Sequence, residues 1–97
     1  VLSGAAGEMK LCAQVRESGS GRTMEVWTTE PGVQLYTGNF LDGSIVGKEG
    51  KAYDKHGALC LETQHYPDSP NKPEFPSVVL EPGQKYTSQT THKFGTK

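Results

Sequence analysis

The sequence predicts an all-β chain of short antiparallel strands. Apolar and polar residues alternate with a period of two in several brief runs. Twelve Gly and six Pro interrupt those runs at spacings suited to turns. Between His65 and Pro76, four of those prolines exclude both helix and central strand.

Each element follows in order. Met9 to Val15 sets Met9, Leu11, Ala13 and Val15 against Lys10, Cys12 and Gln14, the pattern of a half-buried strand. Ser18-Gly19-Ser20-Gly21 predicts a turn, and Arg22 to Thr29 resumes with β-branched and aromatic residues, so the two runs read as a hairpin. Glu30-Pro31-Gly32 predicts a second turn, with Pro at its first corner and Gly where φ turns positive. Val33 to Thr37 is the third strand. Residues 38 to 56 keep no period and read as a long loop that lines a site or a surface. Gly57 to Gln64 is the fourth strand. After the proline-rich loop come a short strand at Val78 to Leu80, a turn at Glu81 to Gln84, and a last strand from Lys85 to Phe94.

Composition bounds the function. Ninety-seven residues suffice for one small domain, not two. Apolar residues make up only 33%, so the core they can build is thin. Ten basic against eleven acidic residues, with no basic stripe, argue against nucleic acid as a partner. No apolar run approaches the roughly 18 residues of a membrane helix. Cys12 and Cys60 lie in apolar strand-like runs without a CxxC or Cys/His spacing, and read as two reduced thiols packed as small hydrophobes. The opening Val1-Leu2-Ser3-Gly4 has neither an initiator Met nor a signal peptide, which predicts a processed or truncated chain. A cytoplasmic setting is the favoured expectation.

One residue breaks the strand logic. Glu62 sits inside the run LCLETQ, although Glu is depleted in strands. On a pleated strand Cys60, Glu62 and Gln64 share one face, and Leu59, Leu61 and Thr63 the other. With the leucines toward a core, Glu62 either meets solvent or lines a concave face, where desolvation would suit a general base. Gln34 shares its face with Tyr36, opposite Val33 and Leu35. It is either an ordinary polar position or, if it meets Glu62 in one cleft, part of a sugar site. Sugar hydroxyls need paired donors and acceptors, and sugar C–H faces need an aromatic plane.

Other chemistries find less support. His56, His65 and His92 lack partners at metal-ligand spacing, so no metal site is expected. His65, directly after the LETQ run, fits a surface loop or a pocket rim, and His92 a solvated strand position. No GxSxG elbow is present, and GSGR between strands lacks the helix that a phosphate loop needs. Trp27 and Tyr36 fit core or wedge positions.

The stretches SGRTMEVWTTEPGVQLYTGNFLDG and LCLETQHYPDSPNKPEFPSVVLEPGQKY, with the final THKF, resemble the C-terminal part of the aldose 1-epimerases, the galactose mutarotase family. The resemblance runs from Ser20 to Phe94 and extends to the strand before it. Its most specific element is LETQ-x-x-PD-x-x-N-x-P-x-FP. It implies an antiparallel β-sandwich of the mutarotase supersandwich type, with residues 1–97 forming the C-terminal portion of one such domain. It also implies interconversion of the α and β anomers of free hexoses such as galactose and glucose, without metal or organic cofactor.

Residue by residue, the resemblance makes Glu62 the general base on the C1 hydroxyl and Gln34 a sugar-contacting amide. It places the general-acid His, a second sugar-binding His, an Arg and an Asp upstream of the matched region. His56, His65 and His92 do not correspond to those histidines. The expected partners are therefore an aldohexose and the N-terminal part of the same protein. Two other functions are weighed: a non-catalytic sugar-binding module on the same sandwich, and an epimerase of sugar phosphates. The last is disfavoured because Arg16 and Arg22, both beside the first turn, are the only arginines available for a phosphate.

Overall fold

Five strands form two separate antiparallel sheets in the computed structural model, which describes residues 1–97. Strands β1 (Lys10–Arg16), β2 (Arg22–Thr28) and β5 (Thr90–Thr96) make a three-stranded sheet with β2 at its centre. Strands β3 (Gly32–Tyr36) and β4 (Cys60–Gln64) make a two-stranded ribbon. The only helical pieces are two single 3-10 turns, at Lys48–Gly50 and Ser69–Asn71. The all-β, antiparallel expectation holds. No helix is long and apolar enough to cross a membrane.

The first hairpin closes as its sequence predicts, with an added side-chain clasp. Glu17 accepts hydrogen bonds from the Gly19 and Ser20 amides, each 2.6 Å. Gly21, at φ +72°, returns the chain and donates to the Glu17 carbonyl at 2.9 Å. A Cβ there would run into the Lys97 carbonyl oxygen, so only glycine lets the segment just after β5 run alongside. In β1 the alternation is cut by a bulge between Leu11 and Ala13. It leaves Leu11 exposed and Cys12 half-buried, where strict alternation had put Leu11 inside.

Three other elements differ from their sequence expectation. Val78 to Leu80 forms no strand: between Pro76 and Pro82 it finds no ladder, and the three side chains are 41–68% exposed. The last strand starts at Thr90 rather than Lys85, because β2 offers partners only from Thr28↔Thr90 to Arg22↔Thr96. Residues 38 to 56 are not all loop. Val46 bridges Ala52 across the Lys48–Gly50 turn, with Tyr53 donating to the Ile45 carbonyl at 2.9 Å.

The core is small. Val26 is the one fully buried hydrophobic residue, on the β2 face that it shares with Met24 and Thr28. Phe94, on β5 opposite Met24, remains 75% exposed, and Phe40 90%. A Cα radius of gyration of 16.8 Å exceeds the ~13 Å of a compact chain near this length, so the two sheets lie open rather than closed around a common interior.

A chain of threonine hydroxyls joins the sheets. The Thr90 hydroxyl meets that of Thr28 at 3.1 Å within the first sheet and that of Thr63 on β4 at 2.7 Å. Thr63 therefore turns toward the three-stranded sheet. Its strand neighbour Glu62 turns away from it.

Candidate functional site

The two residues singled out by the sequence stand directly opposite each other. Gln34 on β3 pairs with Glu62 on β4, in a ladder running from Gly32↔Gln64 through Val33↔Thr63 to Tyr36↔Cys60. Directly opposed residues of an antiparallel pair project from the same face with Cβ atoms about 4.5–5.5 Å apart. Glu62 and Gln34 thus present a carboxylate and an amide side by side, both exposed. Glu62 takes part in none of the ion pairs of the chain. The Gln34 amide rests on the Leu35 carbonyl at 3.2 Å. Tyr36, half-buried, stands one same-face position further along.

The leucine frame beneath Glu62 is only partly as the sequence suggests. Leu61 is half-buried, but Leu59 is 47% exposed and precedes the strand. The chain reaches β4 from a turn in which Gly57 donates to the Asp54 carbonyl at 3.0 Å, so residues 57 to 59 have no ladder partner and Leu59 reaches no core.

Toward the other end of the ladder lies a cleft of about 350 Å³ between Gln34, Gln64, Tyr66 and Phe75. Tyr66 and Phe75 meet edge to face, with ring centroids 5.2 Å apart and planes at 76°. The proline-rich loop sets this pair. Asp68 takes a left-handed turn at φ +61° and accepts from the Asn71 amide at 2.6 Å, and Phe75 closes a further turn onto the Lys72 carbonyl at 3.0 Å. Gly32 has no side chain to hold the tyrosine off: a Cβ there would lie 3.2 Å from Tyr66 Cδ1. Glu62 lies outside the cleft wall, beside Gln34.

A second cluster stands at that same end of the ladder. Glu30, only 5% exposed, accepts a hydrogen bond on Oε1 from the Tyr86 hydroxyl. Its Oε2 lies 2.8 Å from His65 Nδ1, a contact that becomes an ion pair when the imidazole is protonated. The Glu30 amide is held by the Thr28 hydroxyl at 3.1 Å. Burial pushes the Glu30 carboxyl up; hydrogen bonds from Ser88 and Tyr86, then the charge of His65, more than offset this and hold it below the ordinary carboxylate value. Tyr86 is pushed up, chiefly because its hydroxyl is bound to Glu30. A cavity of about 300 Å³ opens beside these three residues and is lined also by Leu2 and Lys10.

The model of the family described as aldose 1-epimerase matches residues 2–93 of this sequence. The chain belongs to the aldose 1-epimerase family. It is 59% identical over 87 residues to the galactose mutarotase of Mus musculus, 56% to that of Bos taurus and 55% to that of Rattus norvegicus. Each match covers 90% of this chain and 25% of the relative, so the chain spans about a quarter of the length of the curated relatives it matches.

The fold of this epimerase-family chain brings Gln34 and Glu62 together, while His56 and His92 have other partners. His56 binds the Thr37 carbonyl through Nδ1 at 3.0 Å, and His92 stacks on Phe94 with centroids 6.5 Å apart. Nowhere do three His, Cys, Asp or Glu side chains converge as a metal-ligand group. Chemically, the ladder face offers an acceptor for a proton, an amide that both donates and accepts, and aromatic edges beside them. The sequence reading missed Glu30 and Tyr86, and reached His65 only as a pocket rim. No local pattern links Glu30 to a tyrosine 56 residues away.

Proposed function

We propose that residues 1–97 are the C-terminal part of a single mutarotase-type β-sandwich whose enzyme interconverts the α and β anomers of a free aldohexose. Glu62 is the general base and Gln34 binds a sugar hydroxyl. The observation that carries this reading is the Gln34↔Glu62 rung, which aims the amide and the carboxylate from one face. The names of the relatives, galactose mutarotase in mouse, cattle and rat, supply the substrate class.

The reaction needs only proton transfers. Glu62 removes the proton from the C1 hydroxyl, the C1–O bond to the ring oxygen breaks, and an acid delivers a proton to that oxygen. The product is an open-chain aldehyde. Rotation about the C1–C2 bond presents the other carbonyl face, and the same groups run in reverse to close the ring. General acid and general base steps each contribute typically about 10²–10⁴-fold. In this reading the acid comes from the N-terminal part of the protein, which also covers the apolar surface left open by residues such as Phe40 and Phe94.

Polarimetry on α-galactose tests the proposal. The full-length protein should speed the approach to anomeric equilibrium, and its Glu62→Gln form should not. A wild-type protein that binds galactose without changing the rate would instead establish a silent sugar-binding module.

A further inference from the structure

The Glu30 cluster plays no part in the chemistry assigned to Gln34 and Glu62, yet it stands at the end of their ladder. Register is what that ladder must protect. A slip of one residue between β3 and β4 would turn Glu62 to the opposite face, because side chains alternate with a period of two. Apart from the Thr63–Thr90 hydroxyl contact at 2.7 Å, the usual guards of register are weak here. The connection between the strands runs through residues 37–59, so no tight turn dictates the pairing. Burial does not choose strongly between faces either: Leu35 is 57% exposed and Leu61 only half-buried. A two-stranded ribbon is by itself marginal.

Glu30 and His65 meet just beyond the last rung, Gly32↔Gln64, one on the lead-in to β3 and the other at the exit of β4. Sliding β4 by one residue would carry His65 about 3.3 Å along the strand. That would part it from Oε2 and leave a carboxylate that is only 5% exposed without that polar neighbour, an unfavourable state. Glu30 cannot follow, because Tyr86 holds its other oxygen and the Thr28 hydroxyl holds its amide. We propose that Glu30 and His65, anchored by Tyr86, are positioning residues that lock β3 and β4 in the register placing Glu62 beside Gln34. The lock itself follows from the contacts; its effect on turnover rests on the mutarotase reading above.

The test uses the full-length protein, with Glu30→Ala, His65→Ala and His65→Gln, read by amide hydrogen exchange and by mutarotation of α-galactose. Exchange in 32–36 and 60–64 should quicken at least tenfold in both alanine variants, with β1 and β2 unchanged. Their kcat should fall about tenfold or more, since small misplacements of catalytic groups are costly, while KM stays within about threefold. His65→Gln, which keeps an N–H for Oε2, should recover most of the loss. Unchanged exchange in the two strands, or a kcat within twofold of wild type despite faster exchange, overturns the proposal. If an alanine variant loses protection throughout, Tyr86→Phe, which deletes one hydroxyl, is judged by the same two readings. A wild-type protein inactive on galactose would sink the mutarotase reading alone, and the exchange data would still decide the register lock.

Discussion

Gln34 and Glu62 occupy one rung of the β3–β4 ladder, each the other's direct cross-strand partner. Under the mutarotase reading proposed above, the pair would act as a unit, the carboxylate taking a proton from a sugar that the amide holds. Different kinetic signatures follow for the two. Glu62→Gln keeps shape and hydrogen bonding but cannot accept the proton, so kcat should fall by about 10²–10⁴-fold with KM little changed. Steady-state polarimetry of the full-length protein reads this, and near-normal turnover would remove Glu62 from the base role.

For Gln34→Ala the loss lies in binding. A neutral hydrogen bond is worth about 0.5–1.5 kcal/mol, so KM for galactose should rise about 2- to 12-fold. The effect on kcat should be smaller than that of Glu62→Gln. Isothermal titration with the sugar would show the same weakening, and unchanged affinity would place Gln34 outside the site.

Isolated residues 1–97 should be close to inactive and loosely folded. Val26 is their only fully buried hydrophobic residue, whereas Phe40, Val79 and Phe94 are each at least 68% exposed. So little burial cannot offset the conformational entropy of an ordered chain. Calorimetry of the purified monomer should show no sharp transition, and polarimetry should show no mutarotation above the uncatalysed rate. A cooperative transition or full activity would refute this.

Acid should loosen the protein partly through Glu30. In the folded chain its carboxyl titrates below the ordinary value of 4.5, so folding favours the charged form. That contribution is complete above the ordinary value and is lost as pH falls through the lower, folded one. Denaturant melts of the full-length protein from about pH 7 to pH 3 should show a steeper loss of stability in wild type than in Glu30→Gln. Parallel curves would mean that Glu30 gains nothing from its partners.

Gly21→Ala should destabilise the protein by about 1–3 kcal/mol. The added methyl runs into the Lys97 carbonyl oxygen, and φ +72° is strained for alanine. Both costs fall where the Lys97 N–H donates a hydrogen bond to the Gly21 carbonyl at 2.9 Å, holding the segment just after β5 against the first hairpin. Chemical denaturation measures the change, and a variant as stable as wild type would show that the chain end yields freely.

The sequence alone was enough for most of the strand runs and for the turn of the first hairpin, and it singled out Gln34 and Glu62 as candidates. Alternation and Gly/Pro punctuation are local properties, and the LETQ and PGVQ stretches keep their meaning without coordinates. It misread what depended on partners. Val78 to Leu80 has β-forming residues but no neighbouring strand, and Leu59 has the right spacing but lies before the ladder begins. Cys12 stands at a bulge that no periodicity shows in advance.

Only the tertiary structure decided that Gln34 faces Glu62, that Thr63 turns to Thr90, and that Glu30 meets both His65 and Tyr86. These contacts join residues far apart in the chain. Their formation depends on which edges pair and in what register, and on which polar groups must find partners once burial has removed water. A single strand carries its own alternation. It takes two strands paired in one register to settle which side of the sheet Glu62 faces.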